Sequence, residues 1–223
     1  MDYSIIQNFI NKNRSHQTLT PIGMVCHETA TPNATDEAEQ SYFNNNNIKA
    51  SVHGFIDYDS ITQTLDWFEV CWGAGYTANH NFIQIELCHF DEDDKFTEIW
   101  NRGVWLFAWV FINILKITTI TTDNLMSHAE VSAKWRETDH TDPNQYFEDH
   151  NKTMDDFRNA VQEEINNQLN GGIEVQQWMI DILNKAKNYG LISGDHNPTD
   201  NASKWFVLGV VINLLEKYIL KIK

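Results

Sequence analysis

The chain has 223 residues, of which 42% are hydrophobic and 12% aromatic, with 8 Trp and a net charge of −15. That apolar content excludes a disordered or collagen-like chain, and the length suits one α/β body of about 150 residues with an appendage of roughly 50 to 70. The charge is unevenly spread: residues 172–223 hold six Lys against five acidic residues, so the first 171 carry −16. Such a body repels phosphate backbones, which argues against nucleic acid as a partner.

The N-terminus lacks the basic stretch, the long apolar run and the small-residue cleavage site of a secretory signal. Synthesis and storage in the cytoplasm are therefore expected. Apolar runs of strand length at 22–26, 52–56, 61–65 and 82–88 are bounded by turn residues, and Asp57-Tyr58-Asp59-Ser60 fits a hairpin connection. A helix is predicted over 35–43, where Thr35 can cap and Asp36, Glu37 and Glu39 suit the positive end of the dipole. Residues 44–47 are a low-complexity Asn loop, and Asp91-Glu92-Asp93-Asp94 reads as a solvated turn without calcium-loop spacing.

A second helix is predicted over 95–115. Its apolar segment 104–112 is about half the roughly 20 residues needed to cross a bilayer, so it reads as a buried helix rather than a membrane insertion. Trp100, Trp105 and Trp109 recur at helical intervals and read as core. After a helix over 154–165, polar residues and the pair Gly171-Gly172 mark a linker. The division is a body over 1–166, a linker over 167–172 and a module over 173–223 with helices at 174–189 and 201–221. The fold class is α/β, a mixed central β-sheet flanked by helices, followed by a small all-helical C-terminal module.

Four residues stand out chemically: His27 at the end of an apolar run, Glu86 inside another, and His128 and Asp142 in what reads as a polar loop. Two imidazoles and a carboxylate can hold Zn2+ and leave a position open for water, and a spare glutamate can accept a proton. Glu86 alternates with Ile85 and Leu87, so it should project from the opposite strand face, beside Gln84 and Cys88. Cys26, Cys71 and Cys88 form no paired-ligand motif and read as buried free thiols. His16, His80, His89, His150 and His196 have no partner at ligand spacing.

The stretches Val25-Cys26-His27-Glu28-Thr29-Ala30, Ala50-Ser51-Val52-His53-Gly54-Phe55-Ile56-Asp57, Cys71-Trp72-Gly73-Ala74-Gly75, Ile83-Gln84-Ile85-Glu86-Leu87-Cys88, Ser127-His128-Ala129-Glu130 and Asp139-His140-Thr141-Asp142-Pro143 occur in one order. In that order the chain resembles the zinc-dependent N-acetylmuramoyl-L-alanine amidases, the class shared by amidase-type phage lysozymes, bacterial autolysins and peptidoglycan recognition proteins. The likeness runs from about residue 21 to 146.

The resemblance implies that His27, His128 and Asp142 are the metal ligands, with zinc as cofactor. Glu86 falls where the family has its catalytic glutamate, which would take a proton from the attacking water and deliver it to the leaving amine. His140 stands where many relatives have lysine; it would donate to the oxyanion, though a histidine is only partly charged near neutrality. His53 and Trp72 would line the substrate groove, and the family's Trp-His-Ala-Gly is Trp72-Gly73-Ala74-Gly75 here.

The implied partner is bacterial peptidoglycan, cut between N-acetylmuramic acid and L-alanine. The implied setting is a phage or prophage endolysin that reaches the wall after membrane permeabilisation. A recognition module that binds peptidoglycan without cutting it, and an amidase that recycles soluble muropeptides, are the rival readings. The tail is loosely similar to helical modules of clostridial-type lysins. Its apolar helices leave three roles open: wall binding, simple packing, or a homodimer through the C-terminal helices.

Overall fold

The protein, described here as a computed structural model, comprises two compact units, Met1–Gln168 and Leu169–Lys223; residues 3–169 and 177–192 are described. The strands of the first unit are β1 (Ile6–Gln7), β2 (Gly23–Glu28), β3 (Gly54–Ile56), β4 (Ile61–Gln63), β5 (Phe82–Leu87) and β6 (Leu125–Ser127). They form one sheet in the order β1-β4-β3-β5-β2-β6. Only β3 and β4 pair antiparallel, across the predicted hairpin; every other neighbour is parallel. The mixed sheet flanked by helices is therefore the fold, as the order of apolar runs indicated.

The helices are α1 (Asp36–Asn45), α2 (Gly75–Asn79), α3 (Asp93–Val110), α4 (His128–Trp135), α5 (Asn144–Asp149), α6 (Met154–Leu169) and, in the second unit, α7 (Gln177–Asn188). Thr35 caps α1, its side chain accepting from the Ala38 amide at 3.3 Å. The apolar stretch read as one helix is α3 followed by a π-helical turn, Phe111–Leu115. Trp100 and Trp105 lie in the core, and Trp109 packs against it half-buried. Among the described residues no helix is long and apolar enough to cross a membrane.

α6 continues to Leu169, one turn past its predicted end, because Gln168 still finds partners there: its amide donates to the Trp105 carbonyl and to Glu164. α7 falls within the helix predicted over 174–189; its first three predicted residues, and the whole helix predicted over 201–221, lie outside the described residues.

Strand alternation sorts the sheet into two faces. Met24, Cys26, Ile83, Ile85, Leu87 and Leu125 join the large core with α3 and α6, where Phe107, Phe111 and Phe157 are fully buried. Each such ring contributes roughly 1.5–3 kcal/mol by leaving water. Gly103 lets α3 approach the sheet, since a Cβ there would lie 3.1 Å from Leu87. The other face carries Val25, Phe82 and Met126, which pack with Ala74, Ala78 and Val131 from around α2 and α4. Cys88, expected beside Glu86, instead lies past the end of β5 in the large core. All three cysteines are free and buried, as their spacing suggested.

Candidate active site

The carboxyl ends of the parallel strands β2, β5 and β6 lie side by side, the place where open α/β sheets present their loops to ligands. Each contributes one functional side chain. His27 on β2 is in register with Glu86 on β5, and β6 ends at Ser127, directly before His128. His128 is thus the first residue of α4 rather than part of a loop. The cause is a capping box: the Ser127 hydroxyl accepts from the Glu130 amide at 3.1 Å, and the Glu130 carboxylate accepts from the Ser127 amide at 2.8 Å. That Ser-x-x-Glu signal was present in the sequence.

Asp142 comes from the loop between α4 and α5, and the loop is tied down at several points. The Ala129 amide donates to the Asp142 carbonyl at 3.0 Å, the Ser132 hydroxyl donates to the His140 carbonyl at 2.8 Å, and His128 Nε2 meets Thr138 Oγ1 at 3.1 Å. These ties bring a residue far away in sequence onto the sheet. His27 Nδ1 lies 3.2 Å from Asp142 Oδ2, and His128 Nδ1 lies 3.1 Å from Asp142 Oδ1. The two imidazoles meet edge to face at 4.6 Å. Three ligand atoms, one from each residue, fall within 4.8 Å of one another.

Burial pushes the Asp142 carboxyl up, but hydrogen bonds from His128 and His27 outweigh it and hold the group well below the usual carboxylate range. It is an anion between two imidazoles at any working pH. His128 is lowered by burial despite its bond to Asp142. His27 is raised in spite of burial, through Asp142 and Glu86. Two nitrogen donors and one anionic oxygen are a donor set suited to a divalent ion such as zinc, so the residues present fit one.

Glu86 is half-buried, and its Oε2 is fully enclosed, with no hydrogen-bond partner among the described residues. Burial pushes its carboxyl up to about 8, against the pull of His27. A carboxyl so raised binds its proton more tightly than an ordinary one and exchanges it near neutrality instead of near pH 4, as a group that acts in turn as base and acid must.

A groove of about 240 Å³ opens over these groups, lined by His27, Glu28, Trp72, Glu86, His128 and His140 among others. Trp72 is half-buried in its wall. His140 stacks on His128 at 4.6 Å with its side chain 65% exposed, and its Nδ1 is 3.6 Å from Asp142 Oδ1.

His53 departs from expectation and does not reach the groove. It is fully buried, its Nε2 donates to the Glu69 carbonyl at 2.9 Å, and its Nδ1 accepts from the Gln84 amide at 3.0 Å. Burial lowers it to about 4, so it is neutral and structural, stacked on Trp67. The motif that suggested a groove contact serves instead to join β3 to β5. Sequence reasoning also passed over Gln84 and Thr138, which hold the outer nitrogens of His27 and His128.

A His-His-Asp donor set at the ends of parallel strands, with a buried carboxyl beside it, is an arrangement that could hold a metal ion. The family described as N-acetylmuramoyl-L-alanine amidase matches residues 17–145, more than half of the chain, and the protein belongs to that family. A bifunctional autolysin of Staphylococcus epidermidis is 30% identical over 148 residues, which is 64% of this chain and 11% of the autolysin. The chain thus spans about a tenth of the length of that relative. Among solved structures, the Staphylococcus aureus hydrolase AmiA, determined with its ligand, matches with a TM-score of 0.70 at 25% identity, covering 78% of this chain and 88% of that one. A mutant endolysin from Bacillus subtilis matches with a TM-score of 0.60 at 26% identity, covering 72% and 99%.

Proposed function

We propose that the protein is a zinc-dependent N-acetylmuramoyl-L-alanine amidase that hydrolyses the amide between the lactyl group of N-acetylmuramic acid and L-alanine in peptidoglycan. The observation that carries this reading is the convergence of His27 Nδ1 and His128 Nδ1 on Asp142, beside a groove that Glu86 also lines. His27, His128 and Asp142 would hold the ion, which when bound supplies a Lewis acid for the carbonyl and acidifies a water. Glu86 takes the proton of the attacking water and returns it to the leaving nitrogen of L-alanine. His140, at the open side of the groove, donates to the developing oxyanion. Trp72 offers an apolar wall to the glycan or the stem peptide.

Likeness to an autolysin and an endolysin supports a role in wall breakdown, and we place this chain with the endolysins. Residues 1–166 would be the catalytic domain, 167–172 the linker, and 173–223 a module for wall binding or for pairing of two copies.

Purified walls incubated with the protein should release muramic-acid-linked peptide and expose new L-alanine amino termini. Activity should vanish with a chelator and return with zinc. Bound zinc without new amino termini would identify a recognition module that does not cut. Removing residues 172–223 should lower the rate on intact walls and spare small soluble fragments; equal loss on both would refute wall targeting.

A further inference from the structure

We infer that Gln84, held by Asn79 and seated against Gly73, is the positioning residue that fixes which nitrogen of His27 faces the metal position. The inference rests on the zinc reading of the site. The amides of Gly73 and Ala74 both donate to Asn79 Oδ1 at 2.9 Å, so that atom is an acceptor. The Gln84 atom that meets it, also at 2.9 Å, is therefore the amide nitrogen. Its other end must then be the oxygen, and it lies 3.0 Å from His27 Nε2. An oxygen there requires Nε2 to carry the proton, which leaves the lone pair on Nδ1, the atom 3.2 Å from Asp142. The tautomer of the ligand is set by two backbone amides through two side-chain amides.

Burial makes the relay stiff. Gln84 is fully buried, its own backbone is bonded on both sides to His53, and it sits on the same face of β5 as Glu86. A single strand therefore sets the ligand with one side chain and presents the proton-accepting carboxyl with the next one along that face. Gly73 is part of the device: a Cβ there would lie 2.3 Å from Gln84 Oε1, so any larger residue displaces the oxygen that His27 uses.

The test measures zinc affinity of the full chain by competition with a chromophoric chelator, alongside melting of the metal-free protein. Gln84→Leu has nearly the same volume but no acceptor, and it should weaken zinc binding about tenfold to hundredfold, the usual cost of losing such an outer partner. Gln84→Glu keeps an oxygen for His27, and when protonated also a donor for Asn79, so it should stay within about threefold of wild type, under the tenfold floor of a lost partner. Gly73→Ala should behave like Gln84→Leu.

A purely space-filling role predicts the opposite order, with Leu tolerated and a buried Glu harmful, and that order would overturn the inference. So would equal affinity in all four proteins. Melting temperatures separate a folding failure from a binding defect, and Gln84→Glu remains decisive if Gln84→Leu does not fold. Failure of the wild type to bind zinc would refute the zinc reading itself, whereas zinc-binding wild type with unaffected variants refutes only the role of Gln84.

Discussion

Among the described residues, two groups bring three potential ligand atoms within 4.8 Å of one another, and they differ in what surrounds those atoms. In the first, His27 and His128 direct their Nδ1 atoms at Asp142, while Gln84 and Thr138 occupy the opposite nitrogens. The second is Asp36, Glu37 and Asp57, and its oxygens are already employed. Asp57 accepts from the amides of Asp59, Ser60 and Asp36, and Asp36 accepts from the Ser60 hydroxyl. That set anchors the β3–β4 turn to the start of α1. Proximity of acids alone therefore says little; what separates a candidate metal centre from a turn anchor is whether the lone pairs are left free to face a groove.

The sharpest way to break this contrast is to remove one member of each group. Asp142→Ala should lower zinc content from about one ion per chain to none and eliminate wall cleavage. Asp36→Asn should leave zinc content unchanged; zinc loss in that variant would mean the second group also binds metal. Next in size, Glu86→Gln should retain zinc and lower the cleavage rate by about 10²–10⁴-fold. Full activity in that variant would dismiss Glu86 as the base. His140→Ala should cost about tenfold in kcat, below the ~10²–10³ typical of an enclosed oxyanion donor, because its side chain is 65% exposed.

Two further effects concern stability. Arg158, 8% exposed on α6, grips both oxygens of Glu130 at 2.9 Å and the Leu125 carbonyl at 3.1 Å, and so ties α6 to the capping box that carries His128. Arg158→Leu should destabilise by on the order of 2–3 kcal/mol, read as a lower urea midpoint.

The smallest effect belongs to the second acidic group. Burial, with the neighbouring Glu37 and Asp57, raises Asp36 to about 7. A carboxyl raised on folding binds its proton more tightly in the native state, so its contribution is full below about pH 4 and is lost as pH rises through 7. Asp36→Asn should therefore melt at a temperature that falls less between pH 4 and 7 than wild type; identical slopes would show that Asp36 is ionised throughout.

Much of the sheet was legible because four of its strands are apolar runs long enough to show their period, and α1 announced itself through Thr35 and three acids. β1 and β6 were not: Ile6–Gln7 is too short to carry a pattern, and Leu125–Ser127 lies between polar residues, without the apolar run that extends past the three-residue strands β3 and β4. α4 reads as loop from its polar surroundings, because eight residues with Val131 as their one buried apolar position show no helical stripe, although Ser127 and Glu130 spell its cap. For His53 the motif was right and the role was not: sequence context cannot tell a groove wall from a buried imidazole whose partners are the backbone of Glu69 and Gln84.

Fold class, family and the candidate site residues His27, Glu86, His128 and Asp142 are readable from the chain alone, since donor chemistry and motif order are local properties. Tertiary structure alone decided which nitrogen each histidine turns inward, that Glu86 ends with an unpartnered oxygen, and that Gln84 and Gly73 belong together. Those facts depend on hydrogen bonds between residues distant in sequence and on the space that the missing Cβ of Gly73 leaves to Gln84. No local pattern encodes them.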